Sequence, residues 1–104
     1  MVNKSYIKGY NFERTVQAEL VKDGWVVVRR GKSSFPDLVC LKPKQRAMFI
    51  ECKMNKYLSK EEKERAKELL KIAPFFVAWK TKDGKIQYTE VKSDGGKDKE
   101  TKSN

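Results

Sequence analysis

Between Phe35 and Met54, two short apolar runs flank a basic turn, and each run carries charge where a sheet core would exclude it. The stretch reads as two strands. The first runs from Asp37 to Leu41 and the second from Ala47 to Met54, with Lys42-Pro43-Lys44-Gln45-Arg46 as the turn between them. Side chains alternate between the faces of a strand, so Glu51 and Lys53 point the same way, while Met48, Ile50 and Cys52 share the other face. Hairpin pairing brings Asp37 alongside them. Charged side chains are seldom buried unless they are paired or bind a cation, so the cluster requires a compensating charge.

Two readings supply it. In the simpler one, Glu51 and Lys53 form a salt bridge at a strand edge. In the other, Asp37 and Glu51 hold a hard divalent cation and Lys53 stabilises charge developing on a phosphate. Asp…Glu-x-Lys is a weak signal alone. Pro36 before the acid and the apolar neighbours of each charge add weight to it.

The chain of 104 residues is sized for one domain, with an apolar share of only 38%. Such a core is thin, and a dimer would add burial. The formal net charge is +10. Residues 92–104 hold four Lys against three acids, so nearly all of the excess lies on the body. A body this basic calls for an anionic partner, most simply nucleic acid. No apolar run is long enough to span a bilayer, and no secretory signal begins at Met1, so an intracellular, soluble protein without membrane attachment is expected. Histidine is absent, which excludes histidine-activated nucleophiles and disfavours a zinc site. Cys40 and Cys52 read as buried strand thiols rather than a disulfide framework.

Met1 to Lys8 is expected to be a basic arm or an unstructured terminus. Gly9 to Val21 reads as a helix with Phe12, Val16 and Leu20 at four-residue spacing. Glu13 sits on or beside that stripe, either reaching out to solvent or facing the acidic cluster as a third carboxylate. Arg14 follows it and is placed to meet phosphate or to pair with Glu13. Asp23-Gly24 ends the helix. The strand Trp25 to Arg30 contains Val26-Val27-Val28, a continuous β-branched run that implies cover on both faces. Gly31-Lys32-Ser33-Ser34 is a loop able to approach phosphate, although the same residues suit an ordinary turn. Ser59 to Ile72 reads as the second helix, with Ser59 and Glu62 at capping-box spacing and Ala66, Leu69, Leu70 and Ala73 on its apolar side. Its Lys and Glu residues are assigned to a solvated face with no catalytic role. Pro74 stops it. Phe75 to Lys80 and Ile86 to Val91 form a hairpin through Asp83-Gly84. The expected fold is a small single-domain α/β protein, order αβββαββ, with a central mixed five-stranded sheet flanked by helices. Its nuclease domain would span 1–91, followed by a disordered polar tail over 92–104.

Placed together, these residues resemble the archaeal-type Holliday junction resolvases of the restriction-endonuclease-like superfamily. The resemblance rests on Lys8-Gly9, Phe12-Glu13-Arg14, Gly24-Trp25-Val26-Val27-Val28-Arg29, Ser33, Pro36-Asp37-Leu38-Val39 and Phe49-Ile50-Glu51-Cys52-Lys53, and covers about residues 8–91. It implies a homodimer that binds four-way DNA junctions and nicks two opposing strands symmetrically. It implies Mg²⁺, with Mn²⁺ able to substitute, and no organic cofactor. At matching positions, Asp37 and Glu51 become metal ligands, Glu13 completes the acidic cluster, and Lys53 assists the attacking water or the transition state. Ser33, four residues after Arg29, matches the family's loop serine; Ser34 adjoins it. Arg14 and Arg29 match basic positions, and Lys8, Arg30 and Lys32 join them as expected DNA contacts. The chain ends soon after its fifth strand, where many relatives continue, so part of the dimer surface is expected to differ. Other readings are a same-fold nuclease acting on flap, repair or restriction substrates, a non-catalytic basic DNA-binding module, and a small structural protein.

Overall fold

The computed structural model describes residues 4–30 and 35–92. Its elements are α1 (Lys4–Lys22), β1 (Val26–Arg29), β2 (Leu38–Leu41), β3 (Met48–Cys52), α2 (Lys60–Leu70), β4 (Phe75–Lys80) and β5 (Ile86–Glu90). The order is the expected αβββαββ. Spatial order follows chain order in one five-stranded sheet. β1–β2, β2–β3 and β4–β5 pair antiparallel, and β3–β4 pair parallel through the α2 crossover, so the sheet is mixed.

Each face of the sheet carries one helix. Phe12, Val16 and Leu20 of α1 are buried against Leu38, Cys40, Ile50 and Ala78. On the other face, Ala66 of α2 is buried with Phe35, Phe75 and Val77, and Leu69 and Leu70 pack beside them. Period four in α1 and period two in the strands therefore meet as predicted.

Glycine and serine set the helix ends. Gly24 has φ +100°, and the amides of Gly24 and Trp25 donate to the carbonyls of Val21 (3.0 Å) and Leu20 (3.0 Å), a Schellman closure. Ser59 caps α2 reciprocally: its hydroxyl accepts from the Glu62 amide (3.1 Å), and the Glu62 carboxylate accepts from the Ser59 amide (2.9 Å).

The structure corrects two expectations. α1 begins at Lys4, not Gly9, so residues 4–8 belong to a helix. Gly9 costs that helix only about 1 kcal/mol and does not end it. β1 is not covered on both faces: Val26 and Val28 are 61% and 47% exposed, and only Val27 between them packs against the α1 core. β1 is one of the sheet's two edge strands, and α2 packs over β4 at a distance from it. Residues 93–104, most of the expected tail, lie outside the described residues.

Candidate active site

The site forms where β2 and β3 part. Phe35 is buried and stacks on Phe75 with ring centroids 5.3 Å apart, and Pro36 is fully buried. Arg30 braces the same turn: its guanidinium donates to the Phe35 carbonyl (3.0 Å) and its amide to the Asp37 carbonyl (2.9 Å). Asp37 is thereby delivered at a fixed position just before β2. Cross-strand register ends at Leu38–Ile50. Beyond it, two side chains take over from backbone partners. The Asp37 amide donates to Glu51 Oε1 (3.0 Å), and the Cys52 amide donates to Asp37 Oδ2 (2.9 Å). Each carboxylate is thus held by one oxygen on a backbone amide of the other's strand.

This arrangement is electrostatically costly. Glu51 is only 6% exposed. Burial first, and the neighbouring Asp37 charge second, push its carboxyl up to about 8, against the opposing pull of Lys53. Burial also raises Asp37 above the ordinary carboxylate range; the Cys52 amide partly offsets it, and the charge of Glu13 adds to it. Two adjacent acids that resist ionisation together form a site for added positive charge. Their donors are all oxygen, which suits a hard divalent ion. The thiols offer no competition: burial raises Cys40 to about 11 and raises Cys52 further, so both stay protonated near neutrality.

Lys53, just past β3, lies beside the pair. Its ammonium is 3.7 Å from Glu51 Oε2 and 2.7 Å from Glu62 Oε2. Burial lowers its proton affinity, but the Glu62 hydrogen bond and the charges of Glu62, Glu51 and Asp37 outweigh burial and raise it overall, so Lys53 is a cation at neutral pH. Glu62 is the residue that sequence reasoning missed. The Ser59–Glu62 spacing revealed its helix-capping bond, but nothing in the local pattern of α2 signals a contact with β3.

The Glu13 carboxylate forms an ion pair and hydrogen bond with Arg29 and accepts from Gln17 Nε2 (3.4 Å). Its charge reaches Asp37, yet among the described residues no three acids, cysteines or histidines converge as a metal-binding group. The ion pair to Glu13 thus comes from Arg29 on β1. Both Arg14 and Arg29 lie over the Tyr10 ring, at 5.7 and 5.6 Å from its centroid, forming a basic and aromatic cluster on the α1 side of the site. Lys8 is exposed on the same helix. Ser33, Ser34 and Lys32 lie outside the described residues.

Comparison with curated protein sequences yields no significant match. Among solved structures, the chain is similar to the Archaeoglobus fulgidus Hjc, described as a Holliday junction resolvase from an archaeal hyperthermophile. The TM-score is 0.67 at 30% sequence identity, covering 81% of this chain and 73% of that one. Residues 4–94 match the sequence profile of the archaeal Holliday junction resolvase (hjc) family. That span contains both helices, all five strands and the Asp37–Glu51–Lys53 cluster, and the chain belongs to that family.

Proposed function

We propose that this chain is a divalent-metal-dependent endodeoxyribonuclease that cuts four-way DNA junctions as a homodimer, leaving paired symmetric nicks. The observation that carries the reading is the Asp37–Glu51 pair, two amide-anchored carboxylates with raised proton affinity beside the Lys53 ammonium. Family membership and the basic body support the substrate class.

Asp37 and Glu51 would hold Mg²⁺ or Mn²⁺. When bound, the ion neutralises phosphate charge and makes water a stronger nucleophile. The protein supplies the rest. The Cys52 and Asp37 amides fix the two carboxylates, so little reorganisation is required on loading. Lys53 presents hydrogen-bond donors at the rim of the pair, where it orients the attacking water or donates to the phosphate oxygen that gains charge. Glu13 acts through Arg29, setting where that guanidinium stands. The second copy in a homodimer would place an equivalent site on the opposing strand.

The test is cleavage of an end-labelled immobile junction, with linear duplex and flap DNA in parallel, in Mg²⁺ and in EDTA. Symmetric nicks on the junction alone, lost in EDTA, are expected. Cuts on flap or duplex instead would transfer the site to another nuclease activity, and tight binding without cleavage in Mg²⁺ or Mn²⁺ would leave a DNA-binding module.

Arg14 is exposed and stacked on Tyr10, so its charge is available to a phosphate. Arg14→Ala should weaken junction binding in Ca²⁺ and make the log Kd against log salt line shallower by about one unit. An unchanged slope would remove Arg14 from the DNA interface.

A further inference from the structure

We propose that Glu62 is a positioning residue that holds the Lys53 ammonium against α2 and keeps it out of the space between Asp37 and Glu51. This rests on the nuclease reading above and assigns a task to a residue that composition places on a solvated helix face.

The geometry makes the case. Lys53 Nζ has carboxylate oxygens on two sides, and the closer belongs to α2. At 2.7 Å the Glu62 contact is a charge-assisted hydrogen bond, whereas 3.7 Å to Glu51 is electrostatic proximity only. Lysine is a flexible chain ending in a point charge, and without a fixed partner it falls onto the most negative surface within reach. Here that surface is the Asp37–Glu51 pair. A lysine lying on those oxygens would neutralise the pair and occupy the position of a cation. Glu62 prevents that collapse.

Glu62 can do this because it is itself fixed. Its Oε1 accepts from the Ser59 amide (2.9 Å) while Oε2 accepts from Lys53, so the carboxylate bridges the helix cap and the lysine. The side chain is 23% exposed, shielded enough for the pair to keep one geometry. The helix N-terminus further favours the negative charge at this position. The capping box therefore has a second consequence: the bond that starts α2 also sets where Lys53 stands.

The experiment compares wild type, Glu62→Ala, Ser59→Ala, Lys53→Ala and the Lys53→Ala/Glu62→Ala double variant. Single-turnover junction cleavage in Mg²⁺ should fall about ten-fold in Glu62→Ala, with junction affinity in Ca²⁺ unchanged. Ser59→Ala removes the hydroxyl acceptor but leaves both bonds of the Glu62 carboxylate. It should lower the melting temperature while cleaving at the wild-type rate. Adding Glu62→Ala to Lys53→Ala should cost nothing further, since Glu62 acts through the lysine. A second readout does not depend on activity: amine-reactive labelling resolved by mass spectrometry should show Lys53 modified several-fold more slowly in Glu62→Ala, where it lies on the buried pair, than in wild type or Ser59→Ala. Glu62→Gln, whose single amide oxygen serves either the cap or the lysine, should fall between.

Equal cleavage by wild type and Glu62→Ala, or additive losses in the double variant, would overturn the proposal. If wild type cut no junction, the nuclease reading would fall, and unchanged Lys53 labelling in Glu62→Ala would still overturn this one separately.

Discussion

Replacing Glu51 with glutamine should lower the junction-cleavage rate roughly a thousand-fold while leaving the protein folded and bound to its junction. Glutamine keeps the size of the side chain and an oxygen to accept the Asp37 amide, so the brace at the end of β2 survives. It removes the charge that a divalent ion needs. Lys53 is not stranded by the change, because its nearer partner is Glu62 at 2.7 Å. This separates the metal-site reading from a structural salt bridge. If Glu51 were there to pair Lys53, its neutralisation would destabilise the fold, because breaking a buried pair costs about 3–5 kcal/mol. If it were there to receive a cation, neutralisation would abolish the reaction and stabilise the metal-free protein. The measurements are single-turnover cleavage in Mg²⁺, junction affinity in Ca²⁺ and the melting temperature at pH 8. Joint loss of cleavage, binding and folding would sink the metal-site reading.

The residues that sequence placed correctly are those whose partners repeat at short spacing or pair across one turn. Phe12, Val16 and Leu20 announce a buried helix face at four-residue intervals. Asp37 and Glu51 are brought together by the β2–β3 pairing that the two apolar runs imply. Ser59 and Glu62 form their capping box within one turn. What sequence could not supply was the third dimension. Val26-Val27-Val28 signals strand propensity, but neither its edge position nor the distance to α2 is written in those residues. Glu13 lies beside the apolar stripe as expected, yet its partner is sixteen residues away on β1. Glu62 on a lysine- and glutamate-rich helix looks like any solvated acid until the β3–α2–β4 crossover sets it beside Lys53. The fold was legible because hydrophobic periodicity is local. The charge network was only partly legible because each ion pair depends on where separate elements cross.

The metal-free protein should lose stability as pH rises from about 5 to 8, and divalent metal should restore it most strongly at the upper end. Glu51 carries the effect. Its carboxyl titrates near 4.5 when free and near 8 in the folded protein. Below 4.5 both states hold the proton, and Glu51 imposes no penalty. Between these values the unfolded chain ionises while the folded protein keeps its proton, so the folded state binds more protons and its stability falls as pH rises. Above 8 Glu51 is ionised in both states, and its contribution to the slope ends. The loss should be on the order of 2–4 kcal/mol. Asp37, also raised, adds to it in the same direction. Few other groups confuse this window. The chain has no histidine, Cys40 is raised to about 11, and Cys52 is raised further. Glu62 titrates below its ordinary value, so its contribution is lost only under more acidic conditions. A divalent ion binds the ionised pair and competes with the proton, so added Mg²⁺ or Mn²⁺ should raise the melting temperature little at pH 5 and most at pH 8. Glu51→Gln should abolish most of the slope and of the metal response. Asp37→Asn should flatten the slope too, because removing the neighbouring charge lets Glu51 ionise at lower pH. Melting curves from pH 5 to 9, with EDTA and with Mg²⁺, decide the matter. A flat EDTA profile, or the same slope in Glu51→Gln, would show that the pair ionises freely in the folded protein and has no unmet demand for a cation.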